Sequence, residues 1–538
     1  MSADEKKQTV VNRRGFVKGA AVGVFGGLMA GTVGNAFAAP KGQPKSWLPD
    51  KWDKEADVVV VGFGAAGSSA AIEAHDAGAK VLIVEKMREG WEGGDTGISG
   101  GLLYLDTKTN IDSWRKKNFG KVDEEFLKCF SDNVKGVNTW LQSMGLPISG
   151  ALGMGIVTSP VPGASSGHIL FAFFKEQVKK RGIPVLYEAP AKELIQDPKT
   201  REILGLKVGS EGRYRYIKAR KGVILTTGSY ESNPEMLSDF GHPGVYVASE
   251  GSPANTGDGL KMALKTGATL RHMMPMAIEW GEFAFKAPSQ QYKTAFSMGY
   301  MRMPGKRLHN YIFVDREGKR FMNEKTNMVH QKDTLEVLRF DSKTLQYPHI
   351  PFFVVFDEAV RKSGRITKNP ELWGWRTTKK VYEWSEDNRA EIEKGWIIKA
   401  DTLQELAAKM KGADCHGKPA GVNAAGLAET VAKFNEYCAA GKDPEFNRAK
   451  ASLMALKTPP YYAAELCFNC IYTIGGLKNN CKAQTMDNED KPVPRLYSAG
   501  NVGGSGIISP GAIPEAIAFG RIAGKNAAAE MPWGKRKK

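Results

Sequence analysis

The sequence predicts an α/β fold built on a parallel sheet, and consecutive features after its first 55 residues predict it. Residues 56–61 are a valine-rich run that suits a strand buried on both faces. A glycine-rich turn follows at residues 62–67 and leads into a helical stretch that continues to about Ala77. A second apolar strand at residues 80–84 ends in Glu85. This order of strand, glycine turn, helix, strand and acidic residue predicts a dinucleotide-binding unit.

Each glycine of the turn has its own role in that prediction. Gly62 permits the tight turn, Gly64 lets the backbone approach a pyrophosphate, and Gly67 lets the helix pack closely on the strand. The free N–H groups at the start of the helix stabilise phosphate charge. Glu85 is placed to accept hydrogen bonds from ribose hydroxyls. The alternative is a turn that binds nothing, and the flanking strands and the acidic residue disfavour it.

Length and composition exclude several other classes of protein. A chain of 538 residues suggests two to four compact units. With 42% hydrophobic and 25% charged residues, its composition is not that of a disordered, collagen-like or polytopic membrane protein. The formal charge of +17 predicts a basic surface that attracts anions and acidic proteins. Six cysteines are too few for a disulfide scaffold.

Residues 1–38 predict an export signal. Arg13 and Arg14 precede a mild apolar stretch to about residue 33, and Ala36-Phe37-Ala38 follows. This order resembles a twin-arginine signal, which directs proteins that are exported already folded. Cleavage after Ala38 leaves a linker at residues 39–55 and a periplasmic protein with a formal charge of about +14. A membrane anchor is the disfavoured alternative, because about 15 apolar residues are too few to span the hydrocarbon core.

Later segments favour FAD over NAD as the dinucleotide. Residues 93–101 form a second glycine-rich loop that passes close to a flat ring, and residues 222–225 form another buried strand before Thr226-Thr227-Gly228. Residues 495–501 and 509–514 precede a terminal helix. The N-terminus of such a helix stabilises negative charge at the N1/O2 edge of a reduced flavin. We therefore expect both ends of the chain to build one site.

Together, six segments resemble the fumarate reductase and succinate dehydrogenase flavoprotein family, which also holds urocanate reductase and the 3-ketosteroid dehydrogenases. They are residues 62–67, 93–101, 255–259, 314–324 and 496–501, with 519–524 in the terminal helix. The resemblance covers nearly all of residues 56–530. It implies a discontinuous Rossmann-like FAD-binding domain at residues 56–280 and 458–538, with an inserted α+β capping domain at residues 281–457. It also implies that substrate binds between the cap and the isoalloxazine, where a hydride passes between flavin N5 and carbon.

The motifs and the resemblance together predict the residues that contact FAD. They are Gly62, Gly64, Ala66, Gly67, Glu85, Lys86, Gly93, Gly94, Thr96, Ser99, Gly100, Gly101, Ala191, Thr227, Gly228, Asp258, Gly500, Asn501, Ala512 and Ile513. Residues 93–101 include no histidine, which succinate dehydrogenases use there to attach their flavin. We therefore expect FAD to be bound without a covalent bond.

The substrate positions depart from the fumarate reductases of the family. Those enzymes use an arginine soon after the Asn-Glu pair as proton donor, but residues 325–328 include no arginine. Glu279, Tyr472 and Ile507 stand where two substrate-binding histidines and a carboxylate-binding arginine are expected. Fumarate needs cationic partners for both carboxylates, each worth about 1.5 to 3 kcal/mol. These changes disfavour fumarate as the substrate.

Three residues are candidates for proton transfer. Tyr472 ranks first, because a phenol can donate a proton to a developing enolate oxygen. Arg307 ranks second, because it aligns with an arginine of the family's proton relay, and Glu279 ranks third. The alternative for each is a structural role: a hydrogen-bonded buried aromatic, a surface cation and a salt-bridge partner, respectively.

Cys467 and Cys470 form a C-x-x-C pair with several interpretations. They are a disulfide, a redox pair, structural thiols or half of a metal site, with Cys481 as a third ligand. Residue 471 is isoleucine, so the histidine needed for covalent haem attachment is missing. We favour structural thiols and predict no metal site.

The leading functional hypothesis is a periplasmic ene-reductase of anaerobic respiration. It reduces an activated C=C bond of an organic acceptor, with electrons from a separate c-type cytochrome or a quinol, because the only nucleotide motif is already assigned to FAD. Two alternatives stay open. One is a 3-ketosteroid-type dehydrogenase, although Ser509 replaces the tyrosine of that pattern. The other is an FAD-containing electron-transfer subunit without its own substrate. Neither nucleic acid nor a stable membrane span is expected.

Overall fold

The structure is a computed structural model. It describes residues 47–99, 101–104, 112, 115, 123–151, 154–157, 166–210, 212–273, 283–298, 310–325, 336–367, 382–504 and 512–533. The twin-arginine segment predicted at residues 1–38 lies outside the described residues.

The described residues form both strands and helices. The strands are β1 Lys54–Val61, β2 Val81–Val84, β3 Leu102–Tyr104, β4 Ile148–Ala151, β5 Met154–Val157, β6 Val185–Leu186, β7 Ala191–Gln196, β8 Ile203–Ser210, β9 Arg213–Leu225, β10 Val247–Ser249, β11 Leu270–Arg271, β12 Phe283–Phe285, β13 Tyr311–Asp315, β14 Phe352–Asp357, β15 Ile398–Ala400, β16 Lys411–Ala413, β17 Pro419–Gly421, β18 Tyr461–Cys470, β19 Gly476–Leu477, β20 Gln484–Met486 and β21 Pro492–Ser498. The α-helices are α1 Ala65–Asp76, α2 Gly94–Ile98, α3 Glu124–Val134, α4 Val137–Ser143, α5 Ser166–Lys180, α6 Pro234–Asp239, α7 Asp258–Leu264, α8 Lys286–Tyr292, α9 Glu358–Lys362, α10 Arg389–Glu393, α11 Leu403–Lys409, α12 Ala424–Ala440 and α13 Ala512–Ala529. The prediction of a mixed α/β fold is confirmed.

The first sheet joins the two ends of the chain. Its order is β20-β21-β9-β1-β2-β6, and β8 and β7 extend it from β9. Strand β1 pairs in parallel with β2 and β9, and β9 pairs in parallel with β21. The C-terminal part of the chain therefore adds a strand to the sheet that the N-terminal part begins.

Strand β1 is buried on both faces of this sheet. Val58 and Val60 pack in a hydrophobic cluster with α1 and α13, whereas Val59 and Val61 pack in a cluster on the other face. Successive side chains of a strand point to opposite faces, so a continuous valine run suits a strand covered on both sides. The valine run thus explains the central place of β1.

Helices α1 and α13 approach so closely that α13 requires glycine at two positions. A Cβ atom at Gly520 would lie 2.5 Å from the carbonyl oxygen of Ala66, and one at Gly524 would lie 2.2 Å from that of Ala70. This contact holds α13, from the C-terminal part of the chain, against the helix that follows the glycine turn.

The second sheet is centred on β18. Its order is β10-β18-β14-β13, and β12 and β15 also pair with β18. Aromatic side chains such as Phe283 and Phe313 fill one side, and apolar residues of α11 and α12 cover the other. Two strands of this sheet, β10 and β18, lie outside residues 281–457, the predicted capping domain. The predicted domain boundaries stay predictions. No helix in the described part of the chain is both long and apolar enough to cross a membrane.

Candidate active site

The glycine turn after β1 has no room for side chains at two positions. Gly62 has φ of +106°, and a Cβ atom there would lie 2.5 Å from the carbonyl oxygen of Thr226. A Cβ atom at Gly67 would lie 2.0 Å from the carbonyl oxygen of Gly62. The hydroxyl of Thr226 also donates to the carbonyl oxygen of Val61 at 2.9 Å. The turn is therefore fixed between α1 and the end of β9.

Glu85 lies directly beside this turn. Its Oε2 atom accepts a hydrogen bond from the Phe63 N–H at 2.9 Å, and its Oε1 atom accepts one from the Met87 N–H at 2.8 Å. Burial raises the pKa of this carboxyl in spite of both hydrogen bonds. Each carboxylate oxygen has two lone pairs, so Glu85 keeps capacity to accept from a ribose hydroxyl.

The second glycine loop packs against the start of α1. The Thr96 hydroxyl accepts a hydrogen bond from the Ala65 N–H at 2.9 Å. Ser99 Oγ donates to the Thr96 carbonyl oxygen at 2.9 Å and accepts from the Gly101 N–H at 3.2 Å. The two glycine-rich segments thus lie side by side at the start of α1.

Lys86, which follows β2, forms an ion pair with Asp258, the first residue of α7. Lys86 Nζ lies 2.8 Å from Asp258 Oδ2 and 2.9 Å from Thr256 Oγ1. Burial opposes ionisation of Asp258, but the Lys86 charge and the hydrogen bonds lower the pKa of this carboxyl overall. The pair brings the N-terminus of α7 to the same edge as the glycine turn.

The C-terminal segment closes this group of residues. Gly500 has φ of +71°, and a Cβ atom there would lie 3.0 Å from the Ala66 side chain. The Ala499 N–H donates to the Leu225 carbonyl oxygen at 3.0 Å, and a 3₁₀ turn follows at Asn501–Gly503. The structure thus brings the predicted residues of the first and last parts of the chain together.

The remaining predicted FAD residues lie at element ends around this group. They are Gly93 before α2, Gly94 at its start, Ala191 at the start of β7, Thr227 and Gly228 after β9, and Ala512 and Ile513 at the start of α13. Gly100 lies outside the described residues.

The residues present fit an FAD molecule. The backbone approaches at Gly62 and Gly67 keep these positions of the turn free of side chains at the N-terminus of a helix, as a pyrophosphate requires. The buried hydroxyl of Thr227 has no hydrogen-bond partner among the described residues, so it is available to a ligand. An acidic residue for ribose, Glu85, lies beside the turn.

Tyr472 lies two residues after the end of β18, next to Thr473, whose hydroxyl accepts a hydrogen bond from the Tyr230 N–H at 3.4 Å. It is half-buried, and its carbonyl oxygen accepts a hydrogen bond from Cys470 Sγ at 3.3 Å. A Cβ atom at Gly475 would lie 2.5 Å from the carbonyl oxygen of His272, so this segment is held close to the end of β11. The other two candidates for proton transfer, Arg307 and Glu279, lie outside the described residues, as does Ile507.

The C-x-x-C pair lies on strand β18, and its two thiols have different partners. Residues three apart in a strand point to opposite faces. Cys467 Sγ donates to the Ala284 carbonyl oxygen at 3.4 Å, whereas Cys470 Sγ is directed to Tyr472. Burial raises the pKa of both thiols. No cluster of three or more His, Cys, Asp or Glu side chains suited to a metal ion occurs in the described ranges.

The structure also shows a carboxylate pair that the sequence motifs did not predict. Asp95 Oδ1 accepts from the Ser252 N–H at 2.8 Å, and its Oδ2 accepts from Asn255 Nδ2 at 2.9 Å. The same nitrogen donates to Glu231 Oε1 at 2.7 Å, and Ser229 Oγ donates to Glu231 Oε2 at 2.6 Å. Asp95 and Asn255 each lie within a recognised glycine-rich segment, but Glu231 carries no motif signal.

This pair holds a proton near neutral pH. Burial raises the pKa of Asp95 to about 7, and burial together with the charge of Asp95 raises the pKa of Glu231 well above its usual range. Ser229 Oγ also accepts a hydrogen bond from the Thr473 N–H at 3.4 Å. The pair is therefore connected to the residue next to Tyr472.

Comparison with known proteins agrees with this geometry. Residues 57–509 match the family model described as FAD binding domain. The fumarate reductase (cytochrome) of Shewanella frigidimarina is 29% identical over 523 residues, which cover 91% of this chain and 80% of that protein. The vinyl phenol reductase of Lactiplantibacillus plantarum is 26% identical over 476 residues, which cover 83% of this chain and 89% of that protein.

A solved structure is also similar over most of the chain. It shows the open conformation of a flavocytochrome c3 fumarate reductase. The two chains superpose with a TM-score of 0.62 and 25% identity, and the match covers 89% of this chain and 78% of the fumarate reductase chain. FAD is thus the cofactor, and the protein is a fumarate reductase-like FAD oxidoreductase of the kind that acts on C=C bonds. With the glycine turn, the C-terminal segment and the family match in agreement, the chain belongs to the fumarate reductase/succinate dehydrogenase flavoprotein family.

Proposed function

We propose that this protein is an exported reductase of an activated C=C bond in an organic acceptor that is not a dicarboxylate. The observation that carries the proposal is the similarity, over most of the chain, to reductases named for fumarate and vinyl phenol, both of which contain a C=C bond. When bound, FAD supplies the hydride from its N5 atom. The chain itself must bind and orient the acceptor and supply a proton.

The proposed substrate carries less negative charge than fumarate. Glu324 of the Asn-Glu pair is fully buried and paired with Arg320 Nε at 2.7 Å and Arg448 Nη1 at 3.0 Å, so its role is structural. Lys325 Nζ, next in the chain, lies 4.4 Å from the centre of the Tyr311 ring. Without the second substrate histidine and the carboxylate-binding arginine, a dicarboxylate loses charge-assisted contacts worth about 1.5 to 3 kcal/mol each. Enones, arylacrylates and vinyl arenes remain as the substrate classes.

Tyr472 is the proposed proton donor. Hydrogen bonds join the segment after β18 to Ser229 and Tyr230, which follow β9, and support this role, since the acceptor would bind between the proposed cap at residues 281–457 and the FAD-binding part. A neutral phenol donates a proton without adding charge to an uncharged substrate pocket. The Asp95–Glu231 pair lies nearby, since Ser229 bonds both to Glu231 and to the Thr473 N–H.

Export and an electron partner complete the proposal. The twin-arginine segment supports export to the periplasm after FAD has been inserted. The segment would be cleaved off near Ala38. A separate c-type cytochrome or the quinol pool supplies electrons there, and the basic body of about +14 attracts an acidic partner.

Anaerobic flavin titration tests the proposal. The purified holoprotein is reduced with dithionite, and enoates, arylacrylates, vinyl arenes, enones and steroids are then added while the flavin absorbance is followed. Reoxidation by an uncharged or monoanionic alkene, with fumarate much slower, is the expected result. Bleaching of the oxidised enzyme by a saturated ketone supports the dehydrogenase instead, and exchange with a cytochrome alone supports the electron-transfer subunit.

A further inference from the structure

Two cysteines that are far apart in the chain lie close together, one on α3 and the other between β19 and β20. Cys129 Sγ donates to the carbonyl oxygen of Cys481 at 3.5 Å, and Cys481 Sγ donates to the carbonyl oxygen of Glu125 at 3.4 Å. Glu125 and Cys129 are one helical turn apart on α3, so both sulfur atoms lie over the same face of that helix. The two thiols also lie close enough for each to affect the pKa of the other.

Both thiols are accessible to an oxidant but are not reactive by themselves. Each residue is half-buried rather than enclosed. Burial raises the pKa of Cys129, and burial together with the contact to Cys129 raises the pKa of Cys481 to about 12. Thiols of this kind are mostly protonated at neutral pH, so they react only slowly with a disulfide oxidant. A structural bond suits them better than a catalytic role.

We propose that Cys129 and Cys481 form a disulfide bond that joins α3 to the turn between β19 and β20, with a small-molecule or protein disulfide as the oxidant. The two thiols lose two electrons and two protons, the S–S bond forms, and the oxidant disulfide is reduced to two thiols. An oxidising compartment such as the periplasm preserves such a bond. The proposal does not depend on the substrate of the enzyme.

The bond would secure the C-terminal part of the FAD cradle. Asn479, two residues before Cys481, donates from Nδ2 to the Ser498 carbonyl oxygen at 3.2 Å. Its Oδ1 atom accepts from Arg271 Nη2 at 3.0 Å, and the same nitrogen donates to the Gly504 carbonyl oxygen at 3.2 Å. The turn that carries Cys481 therefore supports both ends of the segment that holds Gly500 and Asn501. Closing the disulfide limits the separation of this segment from α3.

Thiol counting and peptide mapping test the bond on the full-length holoprotein. The protein is first reduced and then equilibrated with oxidised glutathione, and free thiols are titrated in denaturant. The expected count falls from six to four. Trypsin should release residues 129–135 joined to residues 479–482 as one species that reduction separates. Retention of six free thiols, or glutathione adducts without the joined peptides, overturns the proposal.

Matched variants separate this bond from other thiol chemistry. Cys129→Ser should abolish the joined peptides, and Cys481→Ser serves the same purpose if the first variant folds poorly. The double variant Cys415→Ser/Cys438→Ser, which removes two other half-buried thiols, should keep them. Flavin fluorescence on heating should show FAD release several degrees higher in the oxidised form of the wild type, with no difference in Cys129→Ser. Equal release temperatures in oxidised and reduced wild type contradict the role in the cradle.

Discussion

Tyr472 is the residue on which the proposed chemistry depends most. Its backbone is held by Cys470 Sγ, and its neighbour Thr473 is connected through Ser229 to Glu231. The hydrogen bonds that begin at Asp95 therefore reach the backbone of the residue next to Tyr472 and fix the position of this segment.

Replacing Tyr472 by Phe removes the proposed acid and keeps the ring. We expect flavin reoxidation by the alkene to slow by about 100-fold or more, because general acids contribute about that factor. Stopped-flow absorbance of the reduced enzyme measures it. Tyr214→Phe, which changes an exposed tyrosine, should leave the rate unchanged. An unaltered rate in Tyr472→Phe rejects this tyrosine as the donor.

Replacing Asp95 by Asn should change how stability depends on pH. The folded protein raises the pKa of Asp95 from 3.8 to about 7, so it binds this proton more tightly than the unfolded chain. The contribution of Asp95 to the free energy of unfolding is therefore greatest below about pH 4 and decreases as the pH rises to about 7. The variant should lose this decrease, which amounts to about 1 to 3 kcal/mol.

Thermal unfolding of the holoprotein between pH 5 and pH 8 measures the effect. The slope with pH is the readout, since loss of a hydrogen bond from Asn255 lowers stability equally at every pH. Glu436→Gln, at an exposed carboxylate, should keep the wild-type slope. Parallel pH curves for wild type and Asp95→Asn would show that this carboxyl does not hold the proton.

Among the contacts between elements, the packing of α13 on α1 requires glycine at two positions. Gly520 and Gly524 bring the backbone of α13 onto the carbonyl oxygens of α1. Glycine in a helix normally costs about 0.5 to 1 kcal/mol relative to alanine. Its use at these two positions shows that close approach outweighs helix propensity.

Replacing Gly524 by Ala should therefore destabilise the protein instead of stabilising it. The added Cβ would lie 2.2 Å from the Ala70 carbonyl oxygen, so the helices must separate at a cost of about 1 to 3 kcal/mol. Thermal unfolding and the ratio of flavin to protein absorbance measure the result. Gly136→Ala, where an added Cβ meets nothing within 4 Å, is the matched control. A rise in melting temperature for Gly524→Ala contradicts the tight contact.

The elements that local patterns specify are the ones that the sequence predicts well. The valine run at residues 56–61 predicts most of β1, and the glycine spacing predicts the turn and the start of α1, because their geometry excludes other residues. Contacts between distant residues leave no such pattern. Glu231 meets Asp95 and Cys129 meets Cys481 only after the chain has folded, and the C-x-x-C spacing does not show that its residues form a strand.

At the scale of the whole molecule, charge is the property that acts over the longest range. Residues 39–538 have a formal charge of about +14, which attracts acidic partners over distances comparable to the Debye length. The folded protein carries this charge around its bound FAD. Electron delivery by another protein should therefore be sensitive to salt.

We expect reduction by an acidic c-type cytochrome to slow by about tenfold between about 20 and about 200 mM salt. Screening weakens the attraction between the two proteins and leaves the flavin chemistry unchanged. Stopped-flow reduction by the cytochrome measures the rate, and reduction by dithionite at a fixed concentration is compared across the same salts. A cytochrome rate that does not fall with salt contradicts electrostatic steering by the basic body.

The position of β21 in the first sheet has a consequence for biosynthesis. Because β21 pairs with β9, and α13 lies on α1, the walls around the flavin come together only when residues 492–529 are free to fold. A ribosome making this chain must release those residues before any holoenzyme can form. Flavin is therefore enclosed by both walls only after residues 492–529 have been made, long after the strand and turn that begin the site.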